Sequence, residues 1–266
     1  MTKDPLAQIL LLEGADAAAF AQAQFSSHVQ ALAVGQWQFS AWLDAQGRVL
    51  ALLQLARLSD DTFLLLLRGG DAHAMATSLQ RFVFRSKVKL SVPDSLHLST
   101  GDAKESYAVR REGDAIVFGC GDHSMIVAAK NADDAWRAAQ VRAGWPWLPD
   151  NVLGSVLAPA ISLERLHAVA FDKGCYPGQE IVARLHYRGG HKRHMHCVVL
   201  SQRIAAGTVL HRSGDGSIQL LDVVDDDART IALAVIDDGL MHAFENASRV
   251  ATDEGVELQV THSWPA

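Results

Sequence analysis

Short apolar runs alternate with amphipathic stretches through the first third of the chain. Leu6 to Leu12 reads as a strand, Gly14-Ala15-Asp16 as a turn with Asp16 as N-cap, and Ala17 to His28 as a helix. Gln36 to Leu43 and Arg48 to Arg57 flank Asp44-Ala45-Gln46-Gly47, the pattern of a hairpin. Thr62 to Leu67 predicts a further strand. Asp71 to Phe84 predicts a helix, with Ala74, Met75, Leu79, Phe82 and Val83 at helical spacing. A strand and helix followed by antiparallel strands and a second helix assemble naturally as a split βαβ, ferredoxin-like body.

The middle of the chain continues with short strands at Val88 to Val92, Tyr107 to Arg110, Ala115 to Phe118 and Met125 to Val127. Asp133 to Ala143 then reads as a helix ending at Gly144. From Met195 the texture changes to strands at Met195 to Leu200, Thr208 to His211, Ser217 to Val224, Thr230 to Ile236, Ser248 to Ala251 and Val256 to Thr261. Asp225-Asp226-Asp227 and Asp237-Asp238-Gly239 read as solvated turns. Regularly spaced short strands point to a small antiparallel barrel or sandwich. The fold class expected is therefore α+β: a ferredoxin-like α/β body over residues 1–193 and an antiparallel all-β region over 194–266.

With 266 residues and 49% hydrophobic composition, the chain can bury a sizeable core. Its N-terminal apolar run stops at Glu13, too early for a secretory signal, and a cytoplasmic location is expected. Three widely spaced cysteines, Cys120, Cys175 and Cys197, fit a reducing compartment. None forms a C-x-x-C pair, so no self-contained metal or iron-sulfur site is expected. His191, His194 and His196 resemble a metal cluster, but only His194 and His196 would share one face of a strand; with no third ligand fixed by spacing, the three read as solvated or stacking residues. The net charge of -6 argues against direct nucleic-acid binding. Charge is uneven, however: no acid lies between Glu180 and Asp215, where Arg184, Arg188, Lys192, Arg193, Arg203 and Arg212 fall with five histidines.

The densest chemistry lies in Phe171-Asp172-Lys173-Gly174-Cys175-Tyr176-Pro177-Gly178-Gln179-Glu180. Two glycines and a proline around a cysteine predict a shaped turn, and Gln179 onward predicts a helix with acid at its start and base further on. Cys175 is either a small buried hydrophobe or a reactive thiol. A neighbouring cation, here Lys173, and a helix N-terminus both lower a thiol's pKa from about 8.5 toward neutrality.

Lys173 through Glu180 resembles the K-G-C-[FY]-x-G-Q-E signature of the YgfZ family. These are folate-binding relatives of the glycine-cleavage T-protein that support iron-sulfur cluster assembly and tRNA modification. The resemblance extends to Val182-Ala183-Arg184, Tyr187-Arg188-Gly189 and Lys192-Arg193, and upstream to Trp42 through Val49 and Arg85-Ser86-Lys87-Val88. It implies a T-protein-like fold over the whole chain, with two intertwined subdomains over 1–193 and a C-terminal β-barrel over 194–266, and a tetrahydrofolate or other folate as ligand. It also implies iron-sulfur client enzymes or assembly factors as partners, with no membrane association. Cys175 and Lys173 are the implied reactive pair. Trp136, Tyr176, Gln179, Glu180, Arg184 and Arg188 are the implied ligand-binding set, with Trp136 where relatives place a tryptophan that contacts folate.

Several positions depart from the relatives. Arg142 stands where the T-protein carries a pterin-binding Glu, and a guanidinium can only donate. Ala51 and Leu52 stand where it carries an Asp pair, and neither can take a proton, so aminomethyl transfer by that route is expected to be absent. Ser27-His28 replaces an Asn-Asp or Gln-Asp step, and Pro159-Ala160 a Pro-Gln step. The expected function is a folate-binding accessory to iron-sulfur assembly or repair and to tRNA modification, acting through Cys175. The alternatives are a tetrahydrofolate-dependent one-carbon transferase with Cys175 as nucleophile, and an interaction scaffold in which Cys175 is structural.

Overall fold

A computed structural model describes residues 6–214, 216–227 and 229–264. The elements in order are strand β1 (Ile9–Glu13), helix α1 (Ala17–Gln24), β2 (Gln36–Leu43), β3 (Val49–Ser59), β4 (Thr62–Leu67), α2 (Ala72–Gln80), β5 (Lys89–Ser91), β6 (His97–Gly101), β7 (Val109–Glu112), β8 (Ala115–Gly119) and β9 (Ser124–Ala128). They continue with α3 (Trp136–Ala143), α4 (Gln179–Arg188), β10 (Arg193–Leu200), β11 (Val209–Arg212), β12 (Gly216–Asp226), β13 (Arg229–Asp237), α5 (Asp238–Asn246), β14 (Val250–Ala251) and β15 (Glu257–Ser263). The chain forms two compact units that interleave in sequence. The first comprises 1–43, 50–136 and 167–177, the second 44–49, 137–166 and 178–266. The expected boundary at 193/194 falls inside the second unit, at the start of β10.

In the first unit, one sheet runs β2-β3-β4-β1-β5. β4 is antiparallel to both β3 and β1, and β1 is antiparallel to β5. That is the split βαβ arrangement with one added strand, β2, at the edge. Leu10, Leu12, Leu53, Leu55, Phe63, Leu65 and Leu67 turn one face toward Phe20, Phe25, Met75 and Leu79 of the helical layer. The alternate residues Ile9, Leu52, Leu64 and Leu66 are buried on the opposite face, so these strands read as continuous apolar runs. Each such side chain contributes about 1.5–3 kcal/mol by leaving water. A four-stranded sheet β6-β9-β8-β7 completes the unit, tied to β2 by the Trp37 indole N–H, which donates to the Gly119 carbonyl at 3.0 Å.

In the second unit, six antiparallel strands in the order β11-β12-β13-β10-β15-β14 form a nearly closed barrel. Asp253 N donates to His211 O at 2.8 Å across the gap. Val198, Leu210, Ile218, Leu220, Ala234, Ile236 and Leu258 fill its interior.

The structure corrects several expected elements. The first strand begins at Ile9, and Leu6 makes only an isolated bridge to His97. β6 was not expected. The helix expected to reach His28 ends at Gln24, followed by a 3-10 turn at Val29–Ala31. Asp16 does not cap it with its side chain, because that carboxylate accepts instead from Lys87 N at 2.7 Å. α2 ends at Gln80, four residues early, leaving Phe82 and Phe84 outside the helix and exposed. Asp237-Asp238-Gly239, expected as a solvated turn, opens α5. Leu240 is buried there, with Met241 and Phe244 packed against the barrel interior, and this packing outweighs the glycine.

Candidate functional site around Cys175

The segment carrying Cys175 is fastened to the residues just after α1. Ser26 Oγ donates to Ala168 O at 2.6 Å and accepts from Ala41 N at 2.9 Å, while Ser26 O accepts from Ala170 N at 2.8 Å. Ser27 Oγ donates to Ser40 Oγ at 2.7 Å and accepts from Gln38 Nε2 at 2.8 Å. Lys173 is buried, and its ammonium donates to Phe25 O at 2.5 Å and to Ser27 O at 2.8 Å. That ammonium also lies 5.0 Å from the centroid of the Tyr176 ring. Tyr176 is buried too, with its hydroxyl donating to Ala170 O at 3.1 Å. Burial pulls Lys173 down to about 8 and pushes Tyr176 up to about 12.

Between these two buried residues, Cys175 is exposed. The other two cysteines are buried: desolvation pushes Cys120 up to about 12 and raises Cys197. Gly174 does not adopt positive φ, and a Cβ there would meet nothing within 4 Å, so the space beside the thiol is open. Gly178 has φ +78° and stands at the N-cap of α4, the first of whose residues follows Cys175 by four positions.

The remaining expected site residues fall in different settings. Trp136 is buried, its indole N–H donating to Asp133 O at 3.1 Å and its main-chain N–H to Thr100 Oγ1 at 2.9 Å. Gln179 is the first residue of α4, and Glu180 lies in its acidic first turn, exposed. Arg184 and Arg188 are exposed one helical turn apart, and neither has an ion pair among the described residues. α4 packs on the Asp44–Gly47 turn: a Cβ on Gly47, whose φ is +74°, would lie 3.1 Å from Ile181. Asp44 Oδ1 accepts from Gln46 N and Arg48 N to hold that turn.

Arg142 explains one of the departures. It makes a bidentate pair with Asp226, while Arg137 of the same helix pairs with Asp222, which is buried. Ala51 and Leu52 are buried in the first unit. Among the described residues, no group of three or more His, Cys, Asp or Glu side chains is placed to hold a metal ion, and no helix is long and apolar enough to cross a membrane. Sequence reasoning missed the buried pair in which Arg68 Nη1 donates to Gln54 Oε1 at 3.0 Å. The visible signal was Gln54, a polar residue inside the apolar run Val49 to Ala56.

No protein-family model matches the chain. A protein of Aliivibrio fischeri (strain MJ11) described as tRNA-modifying protein YgfZ is 27% identical over 286 residues, covering 95% of this chain and 90% of the relative. One of the same description from Shigella sonnei is 28% identical over 228 residues, covering 73% and 69%. The chain is similar over most of its length to proteins described as YgfZ. Among solved structures, the glycine cleavage system aminomethyltransferase T from Bartonella henselae superposes with a TM-score of 0.64, covering 97% of this chain and 83% of that one. At 17% identity this likeness is one of fold, and it agrees with the α+β body and the C-terminal barrel. The YgfZ likeness thus covers most of the chain.

Proposed function

We infer that this chain is a folate-binding accessory protein that supports iron-sulfur cluster assembly or repair, and through it tRNA modification, by means of Cys175. The observation that carries this reading is an exposed thiol held between two buried neighbours, Lys173 and Tyr176, while Cys120 and Cys197 are buried. An exposed cysteine can give its proton to solvent and its sulfur lone pair to iron. A cluster would then be cargo handed on.

The donor set fits one end of a folate. Arg184 and Arg188 present two guanidinium groups on one face of α4, suited to the carboxylates of a glutamyl tail through charge-assisted hydrogen bonds. At the pterin end, Arg142 offers no acceptor and is already taken by Asp226. A bound folate would supply a carrier of one-carbon units. The residues of this chain would bind and orient it, and buried Ala51 and Leu52 supply no acid or base. These features favour the accessory role over a transferase.

Complementation of a strain lacking the protein tests the reading. Cys175→Ala, folded like wild type, should fail to restore the activity of cluster-dependent tRNA-thiolating enzymes. Full restoration would favour a scaffold in which the thiol is structural. Quenching of tryptophan fluorescence by tetrahydrofolate should saturate, and should weaken about tenfold or more in the Arg184→Ala, Arg188→Ala double variant. An absence of quenching in wild type would remove the folate. Folate-dependent turnover abolished by Cys175→Ala would favour the transferase.

A further inference from the structure

Between α2 and β5 the chain runs Arg81-Phe82-Val83-Phe84-Arg85-Ser86-Lys87-Val88-Lys89, inside a 22-residue stretch, Ala72 to Pro93, with no acidic residue. Its side chains sort into two sets. Val83, Ser86, Val88 and Leu90 are half-buried, with Val83, Val88 and Leu90 packed on the core of the first unit. Arg81, Phe82, Phe84, Arg85, Lys87 and Lys89 point outward.

The segment is built, not loose. Phe82 N donates to Leu79 O at 2.9 Å, Val83 N to Gln80 O at 3.2 Å and Ser86 N to Val83 O at 2.7 Å, forming successive turns. At its far end Lys87 is locked to the α1 side: its N–H donates to Asp16 Oδ2 at 2.7 Å, and its carbonyl lies where a Cβ on Gly14 would stand, 2.1 Å from that atom. On this frame Phe84 is 87% exposed and Phe82 48% exposed. The Arg85 guanidinium lies 5.5 Å from the Phe84 centroid and that of Arg81 6.0 Å from the Phe82 centroid.

Scattered single exposed apolar residues need no explanation, but two phenylalanines within three positions, each beside a cation, on a stretch without acids, do. We propose that this face binds a single-stranded nucleic acid, with Phe84 and Phe82 as stacking platforms for bases and Arg81, Arg85, Lys87 and Lys89 tracking the phosphates. The chemistry matches at each point. The exposed apolar surface consists of flat π faces, which every base can stack on, and the aliphatic side chains of the segment turn inward, away from any lipid. The cations are spaced along an edge strand and the turn before it, the geometry of an electrostatic track. The charge of -6 that argued against nucleic-acid contact belongs to the whole chain, and this stretch departs from it. The proposal does not depend on Cys175 or on a folate.

Fluorescence anisotropy of a labelled oligoribonucleotide of about 12 nucleotides, titrated with the full chain at several salt concentrations, is the test. Saturable binding should weaken about tenfold in Phe84→Ala and be retained in Phe84→Tyr. Arg85→Glu with Lys87→Glu should weaken it further and flatten the salt dependence, while Lys130→Glu should change nothing. An unchanged thermal midpoint establishes that the exposed Phe84 variant is folded. The matching oligodeoxynucleotide distinguishes RNA from DNA as the source of the strand. Equal affinity of wild type and Phe84→Ala overturns the proposal. So does Phe84-dependent binding to phosphatidylglycerol vesicles or polyglutamate with no binding to either oligonucleotide.

Discussion

Lys173 reaches across 148 residues of sequence to donate to the main-chain carbonyl of Phe25 at 2.5 Å, so the lysine beside Cys175 fastens the loop it belongs to. Removing its amine leaves the carbonyls of Phe25 and Ser27 without that donor in a buried setting. Lys173→Met should therefore lower unfolding stability by about 1–3 kcal/mol, read from urea midpoints. It should also raise the rate of Cys175 alkylation as the loop loosens.

The same lysine gives a signed pH effect. Burial holds it at about 8 in the folded chain, against 10.5 when unfolded. Between those values the unfolded state carries the extra proton, so the stability contributed by this group rises with pH from about 8 to 10.5, and its burial cost is fully present below 8. Wild type should gain on Lys173→Met in urea unfolding between pH 7.5 and 10. A constant difference would mean that the amine does not titrate there.

His196 behaves in the acid range. It is buried in β10, Nδ1 lies 2.8 Å from Ser263 Oγ, and Nε2 is buried without a hydrogen-bond partner among the described residues. Desolvation, with the charge of His194 as a lesser cause, lowers its pKa from 6.5 to about 4. Its neutral form is favoured by the fold, so stability from this site is complete above pH 6.5 and is lost as pH falls through about 4. His196→Gln should flatten that part of the stability profile, measured by thermal melts from pH 7 to 4.

Two glycines separate conformational need from open space. Gly47 holds φ +74° with Ile181 3.1 Å from an added Cβ, and Gly47→Ala should cost about 1–3 kcal/mol. Gly174 has neither constraint, and Gly174→Ala should leave the urea midpoint within about 0.5 kcal/mol.

Much of this was legible in the sequence where local pattern and tertiary demand agree. The hairpin around Asp44 to Gly47, the strand Thr62 to Leu67 and the barrel strands were found within a few residues, because alternation and turn chemistry encode them directly. α5 was hidden because Asp237, Asp238 and Gly239 carry a turn's composition, while the helix is held by Leu240 and Phe244 on the barrel. At the site, the glycines and proline around Cys175 predicted a shaped turn, and the structure places the turn at Pro177 and Gly178, just after the thiol. The sequence could not show that Lys173 points at Phe25 and Ser27, since that contact joins segments far apart in sequence. Nor did Arg142 announce Asp226, 84 positions away, as the partner that occupies it.

The central claim is that Cys175 is the thiol this fold presents to other molecules, and native-state alkylation followed by peptide mapping tests it most directly. Iodoacetamide at neutral pH should label Cys175 stoichiometrically while Cys120 and Cys197 stay unmodified until the chain is unfolded. Labelling of Cys120 or Cys197 ahead of Cys175, or a Cys175 that resists until unfolding, would contradict the account.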